Sequence, residues 1–335
     1  MSQAGTGGGP AAGPGAGPGT GPGPAPGPGA VLGAGAFHGR GEPGQRWSRV
    51  SAALWRRPWA RATLLLTPAL AWFVLIYLAA LAVLLITAFW RINAFTTNIE
   101  RVWNIDNFTL IFGNAAYRAI VLRTVGMAAG VTVVDAIVAL PFAYYMARIA
   151  SGRTRTLLYV AILLPLWASY LARVYAWLLI FTHDGVLNAT LGKLGAGSVS
   201  LIYTNWAVFI VFCYVWLPFM IIPVYAAFER IPPSQIEASQ DLGARTWRTT
   251  RLVILPLVLP GLVAGSIFTF SLTLGDFITP ILIGGAGSTF MGNVIEQNVG
   301  ISNNVPFAAA MALIPMAIMA VYLLAARALG AFKAL

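Results

Sequence analysis

Two carboxylates stand where carboxylates are costly. Asp135 lies within an apolar stretch running from about Ala119 to Ala147, and Asp276 follows Gly275 near the end of another, shortly before Pro280. An ionised side chain at membrane depth is unfavourable by several kcal/mol unless it faces water, a counter-charge or a solute path. Aromatic side chains cluster nearby in sequence: Trp167, Tyr170, Tyr175 and Trp177, then Tyr214 and Trp216. Carboxylates together with aromatic faces can hold a cation in an otherwise apolar passage. The same residues also admit plainer roles. Asp135 can pair with Arg173, Asp276 can end a helix or close a turn, and Trp and Tyr also gather at membrane interfaces as amphipathic anchors.

A third stretch is polar and helix-punctuated. Pro232 and Pro233 set an extended start, Ser234 can cap free backbone N–H groups, and Glu237 three residues later completes a capping-box pattern. Gly243 falls just past that helix, where a left-handed residue is wanted, and Thr246 can cap a second stretch running toward Pro256. Leu242 and Trp247 are then apolar side chains presented to water. On local chemistry alone, Glu237 is either a cap on a solvated connector or part of a docking surface.

Catalytic and metal chemistry are poorly served. The single cysteine, Cys213, sits in an apolar run, and the histidines His38 and His183 are far apart with no ligand at metal spacing. The ten acidic residues form no catalytic grouping. No Gly-x-x-x-x-Gly-Lys-Ser/Thr phosphate loop occurs, since Gly192-Lys193 lacks both the upstream glycine and the following hydroxyl. The chain is therefore expected not to be an enzyme, to hold no metal and to bind no cofactor itself.

The elements that must position these residues follow from composition. With 58% hydrophobic and 9% charged residues and a mean hydropathy of +0.77, the 335-residue chain needs the bilayer as its solvent. Apolar stretches at about Leu64 to Phe89, Ala119 to Ala147, Leu157 to Phe181, Trp206 to Phe228, Leu257 to Thr279 and Phe307 to Leu329 predict six transmembrane helices and an all-α fold. The net charge of +11 lies at the ends of these stretches, a pattern of membrane orientation and not of nucleic-acid binding.

Residues 1–45 are Gly, Pro and Ala in irregular repeats, expected to be a disordered cytoplasmic extension, and 46–63 form a basic juxtamembrane segment. Arg148, Arg153 and Arg155 follow the second span; Arg230, Arg245, Arg248 and Arg251 follow the fourth; Arg327 and Lys333 end the chain. The opposite loops are poorer in charge, although the first holds Arg91, Arg101 and Arg118. Both termini are thus expected in the cytoplasm, with 64–330 as the membrane domain and 229–256 as its long cytoplasmic loop.

That loop resembles the EAA loop of ABC importer permeases: Glu237, Ala238, Ser239, then Gly243 and, after nine intervening positions, Val253, Leu255 and Pro256. Ser239 replaces the usual second alanine and Val253 the usual isoleucine. Phe270 to Gly285, Pro165 to Tyr170 and Arg173 to Trp177 resemble the spermidine/putrescine permeases, and the combined likeness spans about residues 60 to 330. The resemblance implies a type I importer permease in a prokaryotic plasma (inner) membrane. Its partners would be a separate ATP-binding cassette subunit that uses the ATP, a second permease subunit and an external solute-binding protein, with lipid around it.

By the same resemblance, Glu237, Ala238, Ser239, Leu242, Gly243, Ala244, Leu255 and Pro256 would couple to the ATPase. Asp276, Asp135, Trp167, Tyr170, Tyr175 and Trp177 are the candidates for the solute path, with polyamines as the implied solute. Other organic cations or amines, ferric iron and oxyanions stay open, because related permeases share the loop. An ion-driven secondary transporter is the competing class, but residues 60 to 180 and 200 to 330 show no convincing internal repeat.

Overall fold

A computed structural model of the chain describes residues 58–93, 96–195 and 197–328. The Gly/Pro/Ala-rich extension, residues 46–57 and Lys333 lie outside these. By internal contacts the chain divides into two units, Met1–Ala69 and Leu70–Leu335. Of the first, the described residues are the opening turns of helix α1; the second holds everything below.

Helix α1 (Pro58–Thr87) is apolar all round, and its side chains from Leu70 to Ala80 are all exposed. A helix without a polar face belongs in lipid. The carbonyls just past its end are satisfied by a later element: the Asn107 side-chain amide donates to Ala88 O at 3.0 Å and to Trp90 O at 2.8 Å. A short hairpin follows, β1 (Arg91–Ile92) against β2 (Ile99–Glu100), a small departure from an all-helical chain. Hydrogen bonds from Asn93 and then Arg91 hold Glu100 below the usual carboxylate range.

Helices α2 (Asp106–Gly113) and α3 (Ala115–Tyr144) meet at Asn114, whose side chain accepts from Ala116 N at 2.8 Å and caps α3. A π-helical turn, Tyr145–Ile149, ends it. The next apolar stretch departs from expectation. Instead of one span from 157 to 181 it forms α4 (Gly152–Trp167) and α5 (Tyr170–Phe181), bent by 95° and continued by α6 (Val186–Lys193). Ala168 and Ser169 are both extended, and the Ser169 hydroxyl accepts from Ala172 N to start α5 afresh.

Helix α7 (Asn205–Glu229) is the centre of the molecule, packed against α3 on one side and α10 (Leu255–Gly275) on another. The α7–α10 approach is set by glycine. A Cβ at Gly261 would stand 2.5 Å from Ala227 Cβ and 2.6 Å from Pro223 O, and one at Gly265 would stand 2.7 Å from Met220 Sδ. Without those side chains the two backbones touch, the usual device for packing helices where lipid offers no hydrophobic drive. The buried residues Met220, Val224, Phe228 and Val258 then share one core with Ala139, Ala143 and Met146 of α3 and its turn.

Beyond α10 the chain makes a π-helical turn at Pro280–Gly284, then α11 (Met291–Gly300) and α12 (Val305–Ala328). Helix α11 lies where sequence reading expects only an outer loop. It is tied down by Met291 N donating to Thr124 Oγ1 at 3.0 Å and by the Asn293 amide donating to Phe277 O at 2.9 Å. Among the described residues, five helical segments are long and apolar enough to cross a membrane: Leu66–Thr87, Ala115–Ile149, Asn205–Glu229, Thr246–Gly275 and Val305–Ala328. The bent α4–α5 pair makes a sixth when taken as one span.

Candidate functional site

The polar loop after α7 folds into one short helix, α8 (Pro233–Asp241), and a second, α9 (Thr246–Thr249), that runs without a break through a π turn into α10. The expected capping box is absent. The N-cap is Pro232 with no side-chain bond, and Pro233 occupies the first turn, where a fixed φ and a missing N–H are both harmless. Thr246 likewise lies inside α9, whose N-cap is Arg245. Freed from capping, Glu237 is exposed and makes no hydrogen bond or ion pair with any described residue.

The other end of α8 follows expectation. Gly243 takes φ +79°, its N–H donates to Gln240 O at 2.8 Å, and Ala244 N donates to Ser239 O at 3.1 Å. This paired closure is the Schellman motif, and the left-handed residue within it favours glycine. Leu242 is left 89% exposed and Trp247 74% exposed, large apolar surfaces beside water. Beside Leu242 lies an open cavity of about 570 Å³ whose walls include Gln235, Ala238, Ser239, Ala244, Arg248 and Val253. Leu255 and Pro256 stand outside it, exposed at the start of α10.

Two contacts hold this surface to the membrane helices. The Ser239 and Thr249 hydroxyls meet at 2.9 Å, joining α8 to α9. The Arg148 guanidinium, on the turn after α3, donates to the backbone carbonyls of Phe228 and Ile231 at the end of α7. A cation placed on the carbonyl end of a helix satisfies orphan acceptors and complements the helix dipole. Sequence reading takes Arg148 only as an orientation charge, and nothing in its neighbourhood signals the two carbonyls.

The second cluster surrounds the α4–α5 bend. Tyr170, the first residue of α5, donates its hydroxyl to Asp276 Oδ2, and its ring stacks on Trp216 with centroids 5.6 Å apart and planes 12° apart. Asp276 itself is buried and extended at the end of α10. It also accepts from Thr279 Oγ1 at 2.9 Å, Ile278 N at 2.8 Å and Thr279 N at 3.4 Å. The turn-carboxylate role is therefore present, together with a link to Tyr170. Thr279 is the one member sequence reading passes over; an Asp followed three residues later by Thr just before Pro280 is the signal for it.

The remaining aromatics are dispersed. Trp177 contacts Tyr214 edge-on at 5.3 Å and Phe181 at 5.1 Å, Tyr175 is half-exposed, and Trp167 is 91% exposed at the tip of α4. Asp135 is buried on α3 with Cys213 of α7 as its side-chain partner, and its Oδ2 has none. Neither Asp135 nor Asp276 pairs with a cation: the ion pairs among the described residues are Arg91–Glu100 and the exposed His183–Asp184 contact. The Asp135–Arg173 pair admitted by the sequence is thus not formed. Among the described residues no three His, Cys, Asp or Glu side chains could hold a metal ion.

A family model described as the binding-protein-dependent transport system inner membrane component matches residues 139–332. The inner membrane ABC transporter permease protein YdcU of Escherichia coli (strain K12) is 44% identical over 300 residues, covering 86% of this chain and 95% of YdcU. The spermidine/putrescine transport system permease protein PotB of Haemophilus influenzae is 35% identical over 211 residues, 62% of this chain and 73% of that protein. Among solved structures, a chain of a bacterial ABC transporter involved in the import of the acidic polysaccharide alginate superposes with a TM-score of 0.67 at 18% identity. That superposition covers 84% of this chain and 98% of the other, a likeness of fold.

Proposed function

The chain belongs to the family of binding-protein-dependent transport system inner membrane components, the multi-pass permeases of ABC importers, and on that premise we propose that the solute it passes is a polyamine. The observation that carries this reading is the 35% identity to a permease named for spermidine and putrescine, joined to a buried carboxylate flanked by stacked aromatics at Asp276, Tyr170 and Trp216. Organic polycations are attracted to such faces and charges in a dry passage. In this reading Asp276, Asp135, Trp167, Tyr170, Tyr175 and Trp177 border the solute path, Asp276 acting chiefly through its field because its lone pairs are already engaged.

Power comes from outside the chain. A separate ATP-binding subunit would dock on Glu237, Ala238, Ser239, Leu242, Gly243 and Ala244, with Leu255 and Pro256 carrying its motion into α10. The exposed Leu242 and Trp247 and the uncommitted Glu237 support a docking role, since a solvated connector gains nothing from bare apolar side chains. A second permease subunit and an external binding protein complete the assembly, with six spans and both termini in the cytoplasm. The ATP-binding subunit alone holds nucleotide.

The test is uptake of labelled spermidine and putrescine by cells carrying the complete importer, beside a thermal-shift screen of its binding protein. Saturable, ATP-dependent uptake of either amine is the expected result. A binding protein stabilised only by iron, an oxyanion or another solute class overturns the polyamine reading and leaves the family untouched.

A further inference from the structure

Where α4 begins and α7 ends, side chains of opposite charge border one open groove. Arg155 and Tyr159 come from α4, Tyr225 and Glu229 from α7, and with Ile222 and Ala226 they line a recess of about 340 Å³. Each pair is spaced i and i+4, which puts both members on one face of their helix. The Tyr159 and Tyr225 rings lie 5.9 Å apart, and the Tyr225 hydroxyl donates to Glu229 Oε1. Two polar groups are left over. Glu229 Oε2 has no partner among the described residues, and Arg155 donates through Nε and Nη2 to the Met146 and Ala147 carbonyls, which leaves Nη1 uncommitted. The groove therefore offers an anionic acceptor beside two aromatic rings and, across it, a cationic donor.

Its openness suits an occupant that continues outside it. The groove lies at the ends of two membrane segments, the level of lipid headgroups, where Tyr side chains gather. On the far side of α4, Leu157, Val160 and Leu164 are each more than half exposed and share one face, a surface suited to acyl chains. Charge decides which amine Glu229 takes. Arg148, Arg153 and Arg230 crowd the same end as Arg155, so a free polyamine is repelled there, whereas a molecule with one ammonium and one phosphate finds a partner for each. We propose that this groove seats the headgroup of an aminophospholipid, phosphatidylethanolamine, with its ammonium on Glu229 Oε2 against the two Tyr rings and its phosphate on Arg155 Nη1. The lipid fastens α4 to the end of α7, close to where α8 begins. The proposal is independent of which solute the permease passes.

The complete importer, delipidated in detergent, is titrated with phosphatidylethanolamine, phosphatidylcholine or phosphatidylglycerol of the same acyl chains, and the retained lipid is counted by native mass spectrometry. Phosphatidylethanolamine is expected to bind about tenfold more tightly than phosphatidylcholine, which keeps the charge but has no ammonium N–H to donate, and than phosphatidylglycerol, which has no ammonium. Glu229→Gln, which still accepts from Tyr225, should abolish that preference, and Tyr159→Leu should weaken it without loss of the assembled importer. Equal retention of the three lipids, or an unchanged preference in Glu229→Gln, overturns the proposal. So does displacement of phosphatidylethanolamine by putrescine, which would make the groove a solute site, and so does the absence of any retained lipid, the result if the second permease subunit covers the groove.

Discussion

The Tyr170 hydroxyl donates a hydrogen bond to the Asp276 carboxylate across 106 residues of sequence, tying the start of α5 to the extended turn after α10. Each partner depends on a break in a helix. Tyr170 opens α5 only because the chain bends by 95° before it, and Asp276 is free to accept because α10 ends at Gly275.

Asp276→Asn removes the charge and keeps one acceptor oxygen for the N–H groups that follow. Amine uptake is expected to fall by about tenfold, the scale of one lost ionic contact, with insertion and expression retained. Unchanged uptake kinetics in the inserted protein would remove Asp276 from the path. Tyr170→Phe should have a smaller effect, since a single hydrogen bond contributes about 1 kcal/mol.

Gly243 tests the docking helix through its backbone alone. A Cβ there meets nothing within 4 Å, so any cost arises from φ +79° and not from crowding. Gly243→Val should be unfavourable by about 1–2 kcal/mol, whereas Gly243→Asn should be milder because Asn tolerates the left-handed region. Co-purification of the ATP-binding subunit is expected to weaken in that order. Full co-purification and uptake with Gly243→Val would sink the docking role.

Arg148→Ala strips the end of α7 of its cation and leaves the Phe228 and Ile231 carbonyls without that donor. Charged hydrogen bonds of this kind contribute about 1.5–3 kcal/mol. Hydrogen exchange over residues 229–245 should accelerate while that of α3 is unchanged, and solute-stimulated ATPase activity should fall. Identical exchange in the variant would show that Arg148 does not hold the loop.

Gly261→Ala adds one methyl where Ala227 and the Pro223 carbonyl already stand within 2.6 Å of it. Overpacking of this sort costs about 1–3 kcal/mol. A lower melting temperature in detergent is expected for Gly261→Ala, and none for Gly275→Ala as control, because a Cβ there meets nothing within 4 Å.

Much of the frame is legible in the sequence because lipid leaves few choices. An apolar run longer than ~20 residues must form a helix there, and the observed spans begin and end within several residues of the expected ones except at the α4–α5 bend and before α10, where α9 and a π turn carry the helical segment back to Thr246. Gly243 was readable too, since its requirement is local. The capping box fails for a local reason as well: Pro232, whose side chain has no acceptor, takes the N-cap position, so Ser234 lies inside the helix and cannot cap it. Helix α11 escaped because only ten residues long it carries no span signal, and its ties to Thr124 and Phe277 come from distant elements.

The sequence by itself determined the solvent, the approximate spans, the turn at Gly243 and the likeness of the polar loop to a coupling element. These depend on composition and on neighbours a few residues away. Tertiary structure alone decided which charges have partners. Asp276 acquires Tyr170, Asp135 takes Cys213 in place of Arg173, and Arg173 is left over, because those outcomes depend on how closely α7 can approach α10 and α3 and on a bend that no periodicity announces. A hydrogen bond is decided within a few tenths of an ångström, and only the packed helices set distances that finely.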